Sequence, residues 1–158
     1  MSNHGSSPPR GMYFEEFQIG QEIVTPGRTI TEADIINFAG ISGDYNQMHV
    51  DAVYSANTFF GQRVAHGLLV LSVVSGLAVQ TGILEGTVLA FREIKDWKFA
   101  KPVFIGDTLH AQLEIKEKKA LSRLSAGSVE IEVKVINQHA NIVMRGVWVA
   151  LVALKPGS

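Results

Sequence analysis

"LLVLSVVSGLAV", Leu68 to Val79, carries no charge, and only Ser72, Ser75 and Gly76 interrupt its aliphatic side chains. At helical spacing its apolar positions fall on every side, and a helix without a polar face is one wrapped by other elements on most sides. The run is far shorter than the ~20 residues a membrane-spanning helix needs. It reads as the buried centre of a folded domain. Gly67 stands at its start within "QRVAHG", and "QTGILEG" closes it.

After Gly86 the texture changes to strands. "TVLAFREIKDWKFAKPV" alternates only in part, and "DTLHAQLEIKEKK" does so better. "SVEIEVKVINQ" alternates strictly, with Val129, Ile131, Val133 and Val135 on one face and Glu130, Glu132 and Lys134 on the other. The turn "NQHAN" leads into a last strand, "NIVMRGVWVALVAL". Clean alternation signals antiparallel strands with one face on the core, and short connections make sequential neighbours pair.

Upstream, "IVTPGRTI" reads as a short extended piece. Thr31 in N-cap position with Asp34 three residues later is close to a capping box, so "EADIINFAGIS" reads as a helix stopped by Gly40 and Gly43. Asp51 is placed to cap a second short helix, "AVYSANTFFG", closed by Gly61. The sum is an α+β fold in which a curved antiparallel sheet wraps a long central apolar helix.

The 158 residues fit one domain, expected over residues 13–156, behind a flexible Ser/Pro/Gly-rich segment at 1–12. With 46% apolar and only 18% charged residues the chain folds, and it has little polar surface to spare, a shortage that self-assembly relieves. A net charge of −1 without a basic block gives nucleic acid no footprint. The absence of cysteine excludes disulfides, thiolate chemistry and Cys-ligated zinc, and points to a soluble protein of a reducing compartment. No Gly-rich phosphate loop or dinucleotide fingerprint is present.

The candidate chemistry lies in "SGDYNQMHVD", Ser42 to Asp51, just after the first helix. Histidine exchanges protons near neutral pH, and Asp44 is a complementary carboxylate for His49. Asn46 can brace the loop through its own backbone. The same stretch is also good turn chemistry with a capping aspartate and one satisfied histidine. Gly67 begins the apolar helix, where N–H groups lack partners and the dipole favours negative charge. A glycine there allows close approach, as an oxyanion site requires, although a plain helix start looks the same. Ser72 and Ser75 read as hydroxyls bonding a carbonyl one turn back. His66 ranks below His49. Asp44, His49 and Asp51 have metal-ligand chemistry but no familiar metal spacing. Arg63 and Arg92 read as solvated charges.

"GDYNQMHVD", "VAHGLL" and "KPVFIGDTL", in that order, resemble the MaoC-like dehydratase family, which includes the (R)-specific enoyl-CoA hydratases and has the hot-dog fold. The likeness runs from about Phe14 onward. The family loop reads G-D-x-N-P-x-H; here Asp44, Asn46 and His49 match, and Gln47 replaces the proline. The resemblance implies reversible hydration of trans-2-enoyl-CoA to (R)-3-hydroxyacyl-CoA. Asp44 would be the principal base, with His49 binding the water and supplying the α-carbon proton. The Gly67 N–H would polarise the thioester carbonyl, while Asn46 and Ser75 support the loop. It further implies a cytoplasmic homodimer, or an assembly of dimers, that takes acyl-CoA near the interface, with no metal or cofactor beyond the CoA of the substrate. Two other readings stand beside it. A hot-dog acyl-CoA thioesterase often carries a carboxylate on the central helix, and Leu68 to Gln80 has none. A non-catalytic acyl-CoA-binding module is expected to lose Asp44 or His49, and both are present.

Overall fold

The computed structural model describes residues 10–157. Most of the segment expected to be flexible therefore lies outside the described residues. Its end does not: Gly11 and Met12 donate to the carbonyls of Glu85 and Ile83, each at 2.8 Å, so the chain is tied down before residue 13.

Helix α1 spans Glu32–Ser42, α2 Gln47–Val50, α3 Ala52–Ala56 and α4 Gly67–Gln80. The strands are β1 (Glu22–Val24), β2 (Arg28–Thr29), β3 (Val88–Phe99), β4 (Thr108–Leu121), β5 (Ala126–Ile136) and β6 (Ile142–Ala153). They form one antiparallel sheet in the order β1-β4-β5-β6-β3, with β2 also on β4. On β5, Val129, Ile131, Val133 and Val135 are fully buried, as the alternation predicts. The intervening charges form a ladder on the other face, where Glu130 pairs with Lys95 and Glu132 with Lys116 and Lys134.

Leu69, Val70, Val73, Val74, Leu77 and Ala78 of α4 join the inward residues of β4, β5 and β6 in a single core. Each fully buried aliphatic side chain contributes roughly 1.5–3 kcal/mol, so this helix anchors the domain. A sheet curled over one apolar helix is the hot-dog arrangement. No described helix is long and apolar enough to cross a membrane.

The helix α4 is covered on most sides, and Leu68, Ser72, Ser75, Gly76 and Val79 form one exposed stripe. The stripe opens on a cavity of about 450 Å³ shared with Phe91 and Ile94 of β3 and with Trp148. Two expectations are corrected. The helix after Asp51 ends at Ala56, well before Gly61. There the Asn57 amide and the Thr58 hydroxyl bond the carbonyls of Val53 and Ser55, turning the chain away. For α1, Gly43 alone is the stop, in the left-handed region at φ 76°, while Gly40 sits inside the helix. The expected capping box is present, with the Thr31 hydroxyl accepting from the Asp34 N–H and the Asp34 carboxylate from the Thr31 N–H.

The partial alternation of β3 has a physical cause. Asp96 adopts φ 50°, and the pairing with β6 slips between Lys95 and Lys98. This bulge re-aims Trp97, whose ring stacks on Trp148 with centroids 6.1 Å apart. The Trp97 ring occupies the space a side chain at Gly146 would need: a Cβ there would lie 2.5 Å from it.

Candidate active site

The site begins where α1 stops. Once Gly43 has turned the chain, the Ser42 hydroxyl accepts from the Asp44 N–H, and Asp44 Oδ1 accepts from the Asn46 N–H. Asn46 then caps α2, its side-chain oxygen accepting from the Met48 N–H at 3.2 Å. Each polar side chain in this loop satisfies the next backbone donor, which holds the loop in one conformation. Asn46 is therefore a brace. Asp51 is one as well, since its carboxylate caps α3 through the Tyr54 N–H at 2.8 Å.

One turn of α2 carries His49 inward, where it is only 8% exposed. Its Nδ1 lies 2.7 Å from the carbonyl oxygen of Val64. A carbonyl only accepts, so Nδ1 carries the proton and Nε2 presents a lone pair. Val64 is held in turn by the Met48 carbonyl and a bridge to Phe104. Burial pushes the His49 pKa below its ordinary 6.5. The Val64 hydrogen bond and the Asp44 carboxylate oppose that shift, and His66 adds to it.

His66 is the residue that sequence reasoning ranked too low. It is 2% exposed, and its ring stacks on His49 with centroids 3.8 Å apart. Its Nε2 donates to the backbone carbonyl of Asp44 at 2.9 Å, tying the loop to the start of α4. Its Nδ1 is buried without a hydrogen-bond partner. A carboxylate oxygen of Asp44 and one ring nitrogen each of His49 and His66 lie within 4.8 Å of one another. The metal-type trio is thus Asp44, His49 and His66, and Asp51, committed to its cap, is not part of it. Its one sequence signal was the position of His66 directly before Gly67.

Gly67 opens α4 and lines, with His49, a cavity of about 720 Å³. The wall is largely apolar, with Met48, Phe59, Phe60, Leu68 and Phe99. First-turn N–H groups have no acceptor within their helix. A Cβ at Gly67 would lie 2.7 Å from the Phe99 ring, so glycine at this position is what lets that ring pack against the start of α4. Ser75 is not brought to this place. It lies two turns further along α4, its hydroxyl donates to the Ser72 carbonyl at 2.7 Å, and it lines the other cavity. Within the chain it does not support the Asp44–His49 loop.

The arrangement offers a carboxylate and an imidazole lone pair close together, with an apolar cavity and a helix start beside the imidazole. Residues 15–138 match the family described as MaoC like domain. The protein MaoC of Klebsiella aerogenes is 42% identical over 118 residues, covering 75% of this chain and 35% of its own length. The chain thus spans about a third of that relative. An (R)-specific enoyl-CoA hydratase of Rhodospirillum rubrum is 35% identical over 128 residues, 76% of this chain and 86% of the relative. Among solved structures, the monoamine oxidase regulatory protein from Archaeoglobus fulgius superposes with a TM-score of 0.86 at 39% identity, covering 92% of this chain and 97% of the other. With its family match spanning both the Asp44–His49 loop and the Gly67 helix start, the chain belongs to the MaoC-like dehydratase family.

Proposed function

We propose that the protein is an (R)-specific enoyl-CoA hydratase, adding water reversibly across trans-2-enoyl-CoA. The observation that carries this reading is the approach of the Asp44 carboxylate and His49 to within 4.8 Å, with His49 sharing the Gly67 cavity. One water lies between the carboxylate and Nε2 of His49. As its oxygen bonds C3, one proton stays on the new hydroxyl and the other passes to the Asp44–His49 pair. The Gly67 N–H takes the negative charge that develops on the thioester oxygen. The pair then returns its proton to C2.

Because His49 is kept neutral, Nε2 has no proton to give at the outset. The proton reaching C2 is the one that the pair removed from water, a refinement of the expectation that His49 simply supplies it. Every proton is accounted for without a metal or redox group, and CoA enters with the substrate. The named hydratase among the relatives supports the same reaction class.

The active unit is a homodimer. Among the described residues strand β3 pairs only with β6, which leaves its other edge open, and it exposes Leu89, Phe91 and Ile94, the last two beside the uncovered stripe of α4. A long apolar edge next to an apolar cavity calls for a partner strand, and a second copy supplies one by self-complementary pairing. The reading places the dimer in the cytoplasm.

The test is an assay of purified protein on crotonyl-CoA, following enoyl absorbance and free thiol together. Absorbance should fall without thiol release, and Asp44→Asn and His49→Ala should each slow hydration by roughly 10²–10⁴-fold with the fold intact. Thiol release without hydration would overturn the assignment in favour of a thioesterase. Unchanged hydration in both variants would remove the proposed site.

A further inference from the structure

The cavity that holds His49 and Gly67 continues beyond them. Lys101 and Pro102 line both this cavity and a neighbouring groove of about 430 Å³, bordered by Gln62, Asn137, His139 and Asn141. The two differ in chemistry. The first has a largely apolar wall with no carboxylate, and the second is edged by amides, an imidazole, an ammonium and the carboxylate of Asp107. Lys101 stands at the junction.

Its charge is not spent on a carboxylate. The Nζ of Lys101 donates to Oδ1 of Asn141 at 2.5 Å, a neutral acceptor. The other lysines near carboxylates on this sheet, Lys95, Lys116 and Lys134, are all in ion pairs. The acceptor is well held, because Oδ1 of Asn137 receives the N–H groups of both His139 and Asn141 and fixes the β5–β6 turn. The carboxylate at the groove, Asp107, is occupied: Oδ1 accepts from Gln138 and Oδ2 from the Phe104 N–H. An ammonium with donors to spare, poised by a rigid amide at the end of an apolar passage, suits a phosphate on a long neutral arm.

We propose that this groove receives the phosphate-bearing nucleotide of a CoA thioester, with Lys101 on its phosphates and the pantetheine arm lying along Phe59, Phe60 and Pro102 toward Gly67. This rests on the CoA-thioester reading above. It adds a carrier-recognition residue remote from the reacting carbons, in a loop that contributes nothing to the proton chemistry.

Titration calorimetry with the full chain tests it without turnover, using free CoA, 4′-phosphopantetheine and pantetheine as probes. The wild type should bind CoA at least tenfold more tightly than pantetheine. Lys101→Ala should weaken CoA about tenfold, the scale of a lost charged hydrogen bond, and leave pantetheine unmoved. Lys101→Arg should keep most of the CoA affinity, and the difference should shrink with added salt. Lys101 is exposed, so neither variant threatens the fold. Equal CoA affinity in wild type and Lys101→Ala would overturn the proposal. So would a full gain already present with phosphopantetheine, which would place the arm's own phosphate at Lys101. If enoyl hydration is absent but the calorimetric difference stands, the hydratase reading fails and the groove survives.

Discussion

His49 shows how a backbone carbonyl can decide the role of a side chain. The Val64 oxygen holds the proton on Nδ1, and burial keeps the ring neutral below its ordinary 6.5. Two consequences share a sign. Between the folded value and 6.5 the unfolded chain binds more protons, so this group's stability contribution is lost as pH falls through that window. Activity that needs the Nε2 lone pair should likewise persist below pH 6.5, with the acid limb of kcat/KM beneath that value. A limb at or above 6.5 in a pH–rate profile would contradict the neutral-histidine assignment. Asp44, Asn46 and His49 were legible in the sequence because their chemistry is local to one loop. His66 was not, since its value comes from contacts with Asp44 and His49, distant in sequence and joined only by the fold.

Helix α2 accounts for the departure at Gln47. This residue is the first of a four-residue helix capped by Asn46. The first helical position is where proline is best tolerated, since its missing N–H would have no helical partner. Asn46, at φ −56° and ψ 134°, already has the extended backbone that a following proline demands. Gln47 therefore keeps the loop's shape without the ring. Gln47→Pro should raise stability by about 0.4–1 kcal/mol through the unfolded chain, with activity retained; a lower urea midpoint would refute this. Elements with one strong local signal, such as the capped α1 and the alternating β5, were readable in advance. The extent of α3 was not, because side-chain bonds to carbonyls at Asn57 and Thr58 end it without a breaker residue. Strand β3 resisted for a different reason: its pairing with β6 slips at three places, so no single inward–outward parity runs along it.

At the scale of the whole molecule, the uncovered side of α4 and the open edge of β3 belong to one surface. The central helix was expected to be covered on most sides, and in the proposed homodimer a second copy would complete that cover. Sedimentation at micromolar concentration should show a dimer or a multiple of it, and Ile94→Lys should shift the protein to monomer with its sheet intact. A wild-type monomer under those conditions would refute the assembly. The bulge near that edge also gives the protein an optical property. Its two tryptophans, Trp97 and Trp148, are stacked in a single pair across the β3–β6 seam. All tryptophan emission, and any exciton coupling in the near-ultraviolet, must therefore arise from that seam. Fluorescence will report the opening of this corner of the sheet without a label, while the loop from Gly43 to Asp51, which holds no tryptophan, stays dark.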